Sequence, residues 1–303
     1  MRIFMLGATG TIGRATRAEL LARGHEVVCF GRTNVDRIGD VANARSIERD
    51  GFCGEAFDAV VSCMASRNGL PRDAWAIDHK AHSLVLQAAK KLGVKQFVLL
   101  SAICVQKPKR AFQQAKLAFE AELIASGLTY SIVRPTAYFK SLSGQVARVQ
   151  KGKSYLIFGN GKLTSCKPIS DQDLASYMAN CLVDRNLQNA ILPIGGPGPA
   201  MSPREQGEHL FQLLSKSPKF RKVPVALLDL IIFVLSALRL KDKAELARIG
   251  RYYATESMLA WNPTTQNYDA DTTPSFGNET LQEFQAKLIK GEASVDLGEH
   301  AVF

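Results

Sequence analysis

Metal-ligand spacing is missing from this chain. Its six cysteines, Cys29, Cys53, Cys63, Cys104, Cys166 and Cys181, form no Cys-x-x-Cys pair, and several fall in apolar runs. That excludes a zinc module and a disulfide framework, and it predicts no metal site and reduced core thiols in a reducing compartment. Also missing is an apolar run of about twenty residues, the length that a membrane-crossing helix needs. No internal repeat and no low-complexity linker divides the 303 residues. No leader precedes the first apolar run, so the protein is expected to act where it is made, in the cytoplasm. Acidic residues are in deficit, 28 against 38 basic, for a net charge of +10 and an isoelectric point near 9.4. Such a balance favours an acidic partner. The basic residues are spread along the chain, however. The two clusters, Lys107-Pro108-Lys109-Arg110 and 216–222, do not interleave aromatics as a single-strand binder does. Nucleic acid is not expected as a partner; an acidic small molecule or an anionic membrane surface fits better.

What is present begins at the amino end. Gly7-Ala8-Thr9-Gly10-Thr11-Ile12-Gly13 follows the apolar run Ile3-Phe4-Met5-Leu6 and leads into a helical pattern over 14–23. A strand that runs into glycines three apart and then into a helix brings backbone N–H groups and the positive helix end against a pyrophosphate. Gly7, Thr9, Gly10, Thr11, Ile12 and Gly13 are therefore the candidate pyrophosphate contacts. The G-x-x-G-x-x-G spacing is similar to that of extended and atypical short-chain dehydrogenases. The next strand, Glu26-Val27-Val28-Cys29-Phe30, ends at Gly31-Arg32-Thr33, where an adenosine ribose is expected. An enzyme that uses NAD usually has Asp or Glu there to accept from the ribose 2′-OH. A guanidinium at that point matches a 2′-phosphate, so Arg32 predicts NADP(H), with NADPH as the working donor.

The pattern continues as alternating strands and helices. Asp58-Ala59-Val60-Val61-Ser62 is a buried strand running into Cys63-Met64-Ala65-Ser66, small residues expected to pass under the cofactor. Helical apolar spacing over 73–92 precedes the strand Gln96-Phe97-Val98-Leu99-Leu100-Ser101. A helix over 110–125 precedes the strand Tyr130-Ser131-Ile132-Val133-Arg134-Pro135. Ser101 and Pro135, at the ends of these strands, complete the candidate cofactor contacts with Cys63, Met64 and Ala65. The alternation predicts an α/β fold, a doubly wound parallel Rossmann sheet with right-handed crossovers. Residues 1–155 are expected to be mainly the NADP-binding domain. Residues 156–303 are expected to be a smaller carboxyl-terminal substrate and membrane-contact region, with some segments returning to the Rossmann core. In that half, Gly159-Asn160-Gly161 predicts a hairpin turn and 171–182 a helix. Substrate is expected between this half and the strand ends of the first sheet. The segment 223–238 is almost wholly apolar but too short to span a bilayer, and Asp229 interrupts it. It is either a buried helix or one that lies in a membrane interface or lines a pocket. The flanking Lys219, Arg221, Lys222, Arg239, Lys241 and Lys243 favour peripheral contact with anionic headgroups.

For chemistry, a short-chain dehydrogenase uses Tyr-x-x-x-Lys on the helix after the fourth strand. Here that stretch is Phe112-Gln113-Gln114-Ala115-Lys116. The lysine is kept and the tyrosine is lost. The usual Ser/Thr position aligns with Ala102, leaving Ser101 one place earlier. Carbonyl and alcohol chemistry needs a group that exchanges a proton with oxygen, and the standard one is gone, which argues against an alcohol dehydrogenase or a sugar epimerase. Two explanations remain: NADP(H) binding without turnover, or reduction of an activated C=C bond, in which hydride adds to carbon and the charge is delocalised. Lys116 is then a ribose ligand, a proton donor or a surface lysine; Cys104 and Tyr138 are further donors by residue type alone.

Several motifs beyond the glycine turn are distinctive. They are Asp58 through Ser66-Arg67, Trp75-Ala76-Ile77-Asp78, Phe97-Val98-Leu99-Leu100-Ser101-Ala102-Ile103-Cys104-Val105-Gln106-Lys107-Pro108 and Phe112-Gln113-Gln114-Ala115-Lys116-Leu117. Others are Tyr130 through Arg134-Pro135-Thr136-Ala137-Tyr138-Phe139-Lys140-Ser141-Leu142, Cys166-Lys167-Pro168-Ile169-Ser170, Leu192-Pro193-Ile194-Gly195-Gly196-Pro197-Gly198, Arg248-Ile249-Gly250-Arg251-Tyr252-Tyr253 and the terminal 297–303. With these the chain resembles the divinyl chlorophyllide a 8-vinyl-reductase family over nearly its whole length. The resemblance implies an NADPH-dependent oxidoreductase that reduces the 8-vinyl group of divinyl (proto)chlorophyllides to ethyl in chlorophyll and bacteriochlorophyll synthesis. Its substrate is a magnesium tetrapyrrole, whose ring takes up the charge of hydride addition. Chloroplast members carry a transit peptide, so a start directly at the strand implies a bacterial protein or a processed form, peripheral on photosynthetic membranes. Two other classes stay open on the residues: a redox-sensing NADP-binding regulator of the NmrA-like kind, and a structural NADPH-binding subunit of a membrane complex.

Overall fold

The computed structural model describes residues 1–294, so the 297–303 motif lies outside the described residues. The chain opens with β1 (Arg2–Leu6), α1 (Thr11–Ala22), β2 (Glu26–Gly31), β3 (Arg37–Ile38), α2 (Ala44–Ser46) and β4 (Ala59–Ser62). Then come α3 (Pro71–Ala74), a π-helical stretch (Trp75–Ala81) that joins it to α4 (His82–Lys91), β5 (Gln96–Leu100), α5 (Ala111–Ile124) and β6 (Thr129–Pro135). After α6 (Phe139–Leu142), α7 (Val146–Gln150) and β7 (Tyr155–Phe158) follow α8 (Asp171–Asn180) and β8 (Ala190–Ile194). The remaining elements are α9 (Pro203–Leu213), β9 (Phe220–Val223), α10 (Val225–Ala237), α11 (Lys241–Thr255), β10 (Ala260–Asn262), β11 (Asn267–Asp269) and α12 (Leu281–Lys290).

These elements form two compact units. The first comprises Met1–Pro135 and Asp171–Pro193; the second comprises Thr136–Ser170 and the described residues from Ile194 onward. The first is built on a seven-stranded sheet in the order β3-β2-β1-β4-β5-β6-β8. The pairings from β3 across to β6 are all parallel. That is the doubly wound Rossmann arrangement expected from the alternation of strands and helices. The strands read as unbroken apolar runs because helices cover both faces: Ile3, Phe4, Met5 and Leu6 of β1 are fully buried, and every residue of β5 is buried. One side of the sheet packs on an aromatic cluster, with Phe4 stacked on Phe52 at 4.0 Å and edge-on to Phe57 at 5.4 Å. The strand order reverses between β1 and β4, the switch point at which such sheets bind ligands.

The second unit has its own core, in which Val149, Tyr155, Ile157, Leu210 and Phe211 are buried. The turn at Gly159-Asn160-Gly161 forms, with Gly159 and Gly161 in the left-handed region and Gly161 N–H donating to Phe158 O at 2.9 Å. The hairpin does not: β7 pairs in parallel with β9, some sixty residues on in the chain. Gly-Asn-Gly encodes the reversal of direction but not the strand that follows it. Four cysteines, Cys29, Cys104, Cys166 and Cys181, are buried free thiols, Cys63 is half-buried, and Cys53 is exposed. Cys53 is no core thiol, because it ends a π-helical turn in a left-handed conformation at the surface. The apolar helix α10 is not a core helix either, since none of its residues is buried.

Candidate cofactor and reaction site

The glycine turn is shaped by close backbone approach. Gly7 has φ +73°, and a Cβ there would sit 2.5 Å from the Cys63 carbonyl carbon and the Met64 nitrogen, so β1 and β4 can meet at this point only through glycine. Gly13 is needed for a second reason: its Cβ would lie 1.9 Å from Gly7 O, which would push α1 off the turn. Gly10 differs from both. It is exposed, has φ −72°, and a Cβ would meet only Gly7 O at an ordinary 3.5 Å. No protein contact demands a glycine there, and the space beside it suits a ligand. Gly10 caps α1 without a side-chain bond, and no acidic residue occupies the first turn. The first turn of α1 opens at the turn, where the positive end of the helix stabilises an anion. Arg14 braces the turn by donating to Thr9 O at 2.6 Å. These features fit a dinucleotide pyrophosphate.

Arg32 follows directly on β2, is exposed, and forms no ion pair among the described residues. Asp36 is unavailable to a ribose hydroxyl in the usual way. Its carboxylate accepts from Cys29 N–H at 2.8 Å and pairs with Arg17 at 2.9 Å.

Past β4 the chain is held by two polar clusters. Met64 N–H donates to Ser62 Oγ at 3.3 Å, and Ser62 Oγ lies 2.8 Å from His82 Nε2. His82 Nδ1 lies 2.9 Å from Ile77 O, which can only accept, so Nδ1 carries the proton and Nε2 accepts from Ser62. Burial first, and the Lys116 charge second, pull the His82 pKa down to about 4; the ring is a neutral brace at neutral pH. Cys63 turns its thiol toward Thr16, at 3.7 Å, and burial pushes that thiol up to about 12. Its backbone, with that of Met64, faces Gly7. Ala65 is exposed at the crest of the loop.

The second cluster holds Lys116. Its Nζ lies 3.0 Å from Oδ1 of Asp78, whose side chain is completely buried, while that of Lys116 is only 12% exposed. Asp78 also accepts from Ser66 N–H, at 3.0 Å, and from the Ser66 hydroxyl. Asp78 stands in the π-helical stretch, a geometry that occurs often at functional sites. On α5, Phe112, Lys116 and Glu120 recur every four residues along one face. Phe112 is buried where a tyrosine would stand. Glu120 accepts from the Ser101 hydroxyl and pairs with Arg134, so Ser101 is engaged from below the strand end, and its N–H donates to Val133 O at 2.7 Å. Pro135 closes β6 and is buried. Cys104 is buried too, its carbonyl accepting from Gln113 at 2.9 Å.

The glycine turn, the 63–66 loop, Asp78 and Lys116 thus form one chain of contacts. Asp78, Ser66, Ser62 and His82 escaped sequence reading as site residues. The available signal was an acid and a histidine four apart on the buried face of a helix, where charges seldom sit without a partner.

Comparison with known proteins decides the family. The NAD(P)H-binding family matches residues 7–185. Divinyl chlorophyllide a 8-vinyl-reductase of Oryza sativa subsp. indica, a chloroplastic protein, is 47% identical, with 99% of this chain and 82% of that protein aligned. The chain belongs to the divinyl chlorophyllide a 8-vinyl-reductase family. The Arabidopsis thaliana reductase, also chloroplastic, is likewise 47% identical over 99% of this chain and 79% of its own length. Among solved structures, an NADPH-dependent quinone oxidoreductase of Escherichia coli complexed with NADPH superposes with a TM-score of 0.69 at 15% identity, covering 95% of this chain and 100% of its own. That likeness concerns the fold. As a member of the 8-vinyl-reductase family, the chain carries its NAD(P)H-binding match across the glycine turn, Arg32, Asp78 and Lys116.

Proposed function

We propose that the protein is an NADPH-dependent oxidoreductase that reduces the 8-vinyl group of divinyl chlorophyllide, or of its protochlorophyllide counterpart, to ethyl in chlorophyll or bacteriochlorophyll synthesis. The observation that carries the reading is 47% identity to named 8-vinyl reductases along 99% of the chain. Bound NADPH supplies the hydride. The chain's own residues divide the remaining work. The amides of Thr11, Ile12 and Gly13 and the open side of Gly10 hold the pyrophosphate, and Arg32 reads the 2′-phosphate. Cys63, Met64 and Ala65 pass beneath the cofactor, and Ser101 and Pro135 bound it at the ends of β5 and β6. Lys116, held in place by Asp78, offers its ammonium N–H groups to the nicotinamide ribose. Phe112 leaves no phenol to exchange a proton with a substrate oxygen, which suits hydride addition to a conjugated vinyl carbon.

The same reading puts the protein at the surface of photosynthetic membranes, with peripheral contact through 223–238. No helix among the described residues is long and apolar enough to cross a membrane. Anaerobic incubation with NADPH and divinyl chlorophyllide, followed by chromatography, tests the activity. A monovinyl product is expected; folded, NADPH-bound protein that yields none would overturn it.

A further inference from the structure

Helix α10 is apolar on the side where a water-soluble helix carries its charges. Val225–Ala237 is 13 residues long, about 20 Å at 1.5 Å per residue, short of a bilayer's apolar core of about 30 Å. Val225, Leu228, Ile232 and Leu235 recur at helical spacing and are half-covered, on the side of α11. The opposite arc carries Leu227, Leu230, Ile231, Phe233, Val234 and the C-cap Leu238, all exposed, with Phe233 at 70% and Leu238 at 64%. No charged residue stands on that arc. The one ionisable side chain of α10, Asp229, is paired with Arg251 of α11, and Ser236 accepts from Arg248 at 2.9 Å. The polar flank of α10 is therefore satisfied by its own hairpin, and among the described residues the apolar arc is left exposed. An apolar face of this extent marks an interaction surface.

The charges at its two ends indicate what it meets. Arg221 and Lys222 on β9 stand immediately before the helix, and Arg239, Lys241 and Lys243 immediately after; all are exposed. Over 219–243 six cations face two carboxylates, Asp229 and Asp242, the first already paired. Arg239 occupies a left-handed position, φ +56°, with Leu240 N–H donating to Leu235 O at 2.9 Å. This helix-ending geometry normally takes glycine, and here it places a cation at the end of the apolar arc. A second copy of the chain would set one cationic collar against another, which disfavours a self-made interface.

Building on the peripheral membrane contact proposed above, we infer that the α10–α11 hairpin docks on an anionic lipid surface. Helix α10 lies in the plane of the interface with its outer arc at the boundary of headgroups and acyl chains, and the cationic collar sits on lipid phosphates. Dependence on anionic lipid and on salt is what separates this from simple greasy adhesion.

The test uses the full chain with vesicles of phosphatidylcholine alone and of phosphatidylcholine with roughly one-third phosphatidylglycerol, in flotation at low and high salt. Binding at least about tenfold tighter to the anionic vesicles, weakened by high salt, is expected. Phe233→Asp and Leu230→Asp should abolish it, and Arg221→Gln with Lys222→Gln should remove the preference for anionic lipid, all with NADPH binding unchanged. A Phe233→Trp variant should show fluorescence quenched by brominated acyl chains. Equal binding to both vesicles, unaffected by the collar variant, would overturn the anionic docking and leave the membrane contact standing. Binding to neither would overturn both. A concentration-dependent dimer lost in Phe233→Asp, with no vesicle binding, would assign the arc to a second copy of the chain.

Discussion

Gly10 and Gly13 belong to one motif, yet the structure separates their purposes, and a paired substitution exposes the difference. In Gly13→Ala the new Cβ would fall 1.9 Å from Gly7 O, so turn and helix must part by about 1.5 Å, an overpacking that costs roughly 1–3 kcal/mol. In Gly10→Ala the Cβ meets protein only at 3.5 Å, and φ −72° suits any residue. Alanine caps a helix less well than glycine, by up to about 1 kcal/mol. The stiffer unfolded chain returns about 0.4–1 kcal/mol. The net change should stay within about 1 kcal/mol, a Tm shift of no more than about 3 °C. The methyl group would instead occupy the space left for the pyrophosphate. NADPH affinity, followed by fluorescence titration, should fall at least tenfold, about 1.4 kcal/mol. Gly10→Ala with unaltered Tm and unaltered NADPH affinity would refute the placement of the pyrophosphate. Gly13→Ala with unaltered Tm would refute the packing argument.

Other consequences follow from the same geometry. Arg32→Ala should weaken NADPH by about 1.5–3 kcal/mol, the worth of hydrogen bonds to a charged group, and leave NADH unchanged in parallel titrations; equal loss for both would return Arg32 to a general surface role. Asp78→Asn keeps the shape and the bond from Ser66 N–H, with the Ser66 hydroxyl turned to accept from the new amide, but leaves the Lys116 ammonium without its counter-charge, and denaturant unfolding should show a loss of about 3 kcal/mol together with a fall in turnover. A Lys116→Met change on the Asp78→Asn background should restore part of the stability and none of the turnover. His82 should make stability depend on pH. Its folded pKa of about 4 lies below the unfolded value of 6.5, so the unfolded chain binds the proton first as pH falls; the contribution is complete above 6.5 and is lost toward pH 4, at most about 3 kcal/mol. Urea midpoints across that range should fall more steeply in the native chain than in His82→Gln; parallel slopes would refute the assignment.

The parallel sheet was legible because each strand is a local apolar run and each helix between them a local period, and neither depends on distant residues. The glycine turn was legible for the same reason in part: Gly13 meets Gly7 within seven positions, whereas the approach of Gly7 to Cys63 and Met64 is a distant contact that only the structure reveals. What stayed hidden depends on pairs far apart in the chain. Lys116 could be picked out by its place after Phe112, but its anchor Asp78 is 38 residues away, and the π-helical stretch that carries it leaves no periodic mark distinct from an α-helix. The β7 to β9 pairing escaped because Gly-Asn-Gly specifies a turn, not a partner. Helix α10 could be read as a helix but not as exposed, since an all-apolar helix looks the same whether it is covered by the protein or by something else.

The most direct test of the whole account follows the hydrogen itself. Divinyl chlorophyllide is incubated anaerobically with NADPH deuterated at both hydrogens of C4 of the nicotinamide, in a single turnover, and the pigment is analysed by mass spectrometry and NMR. A monovinyl product carrying one deuterium, located in the C8 ethyl group, is expected. Divinyl pigment recovered unchanged beside bound NADPH, or a monovinyl product without the label, would contradict it.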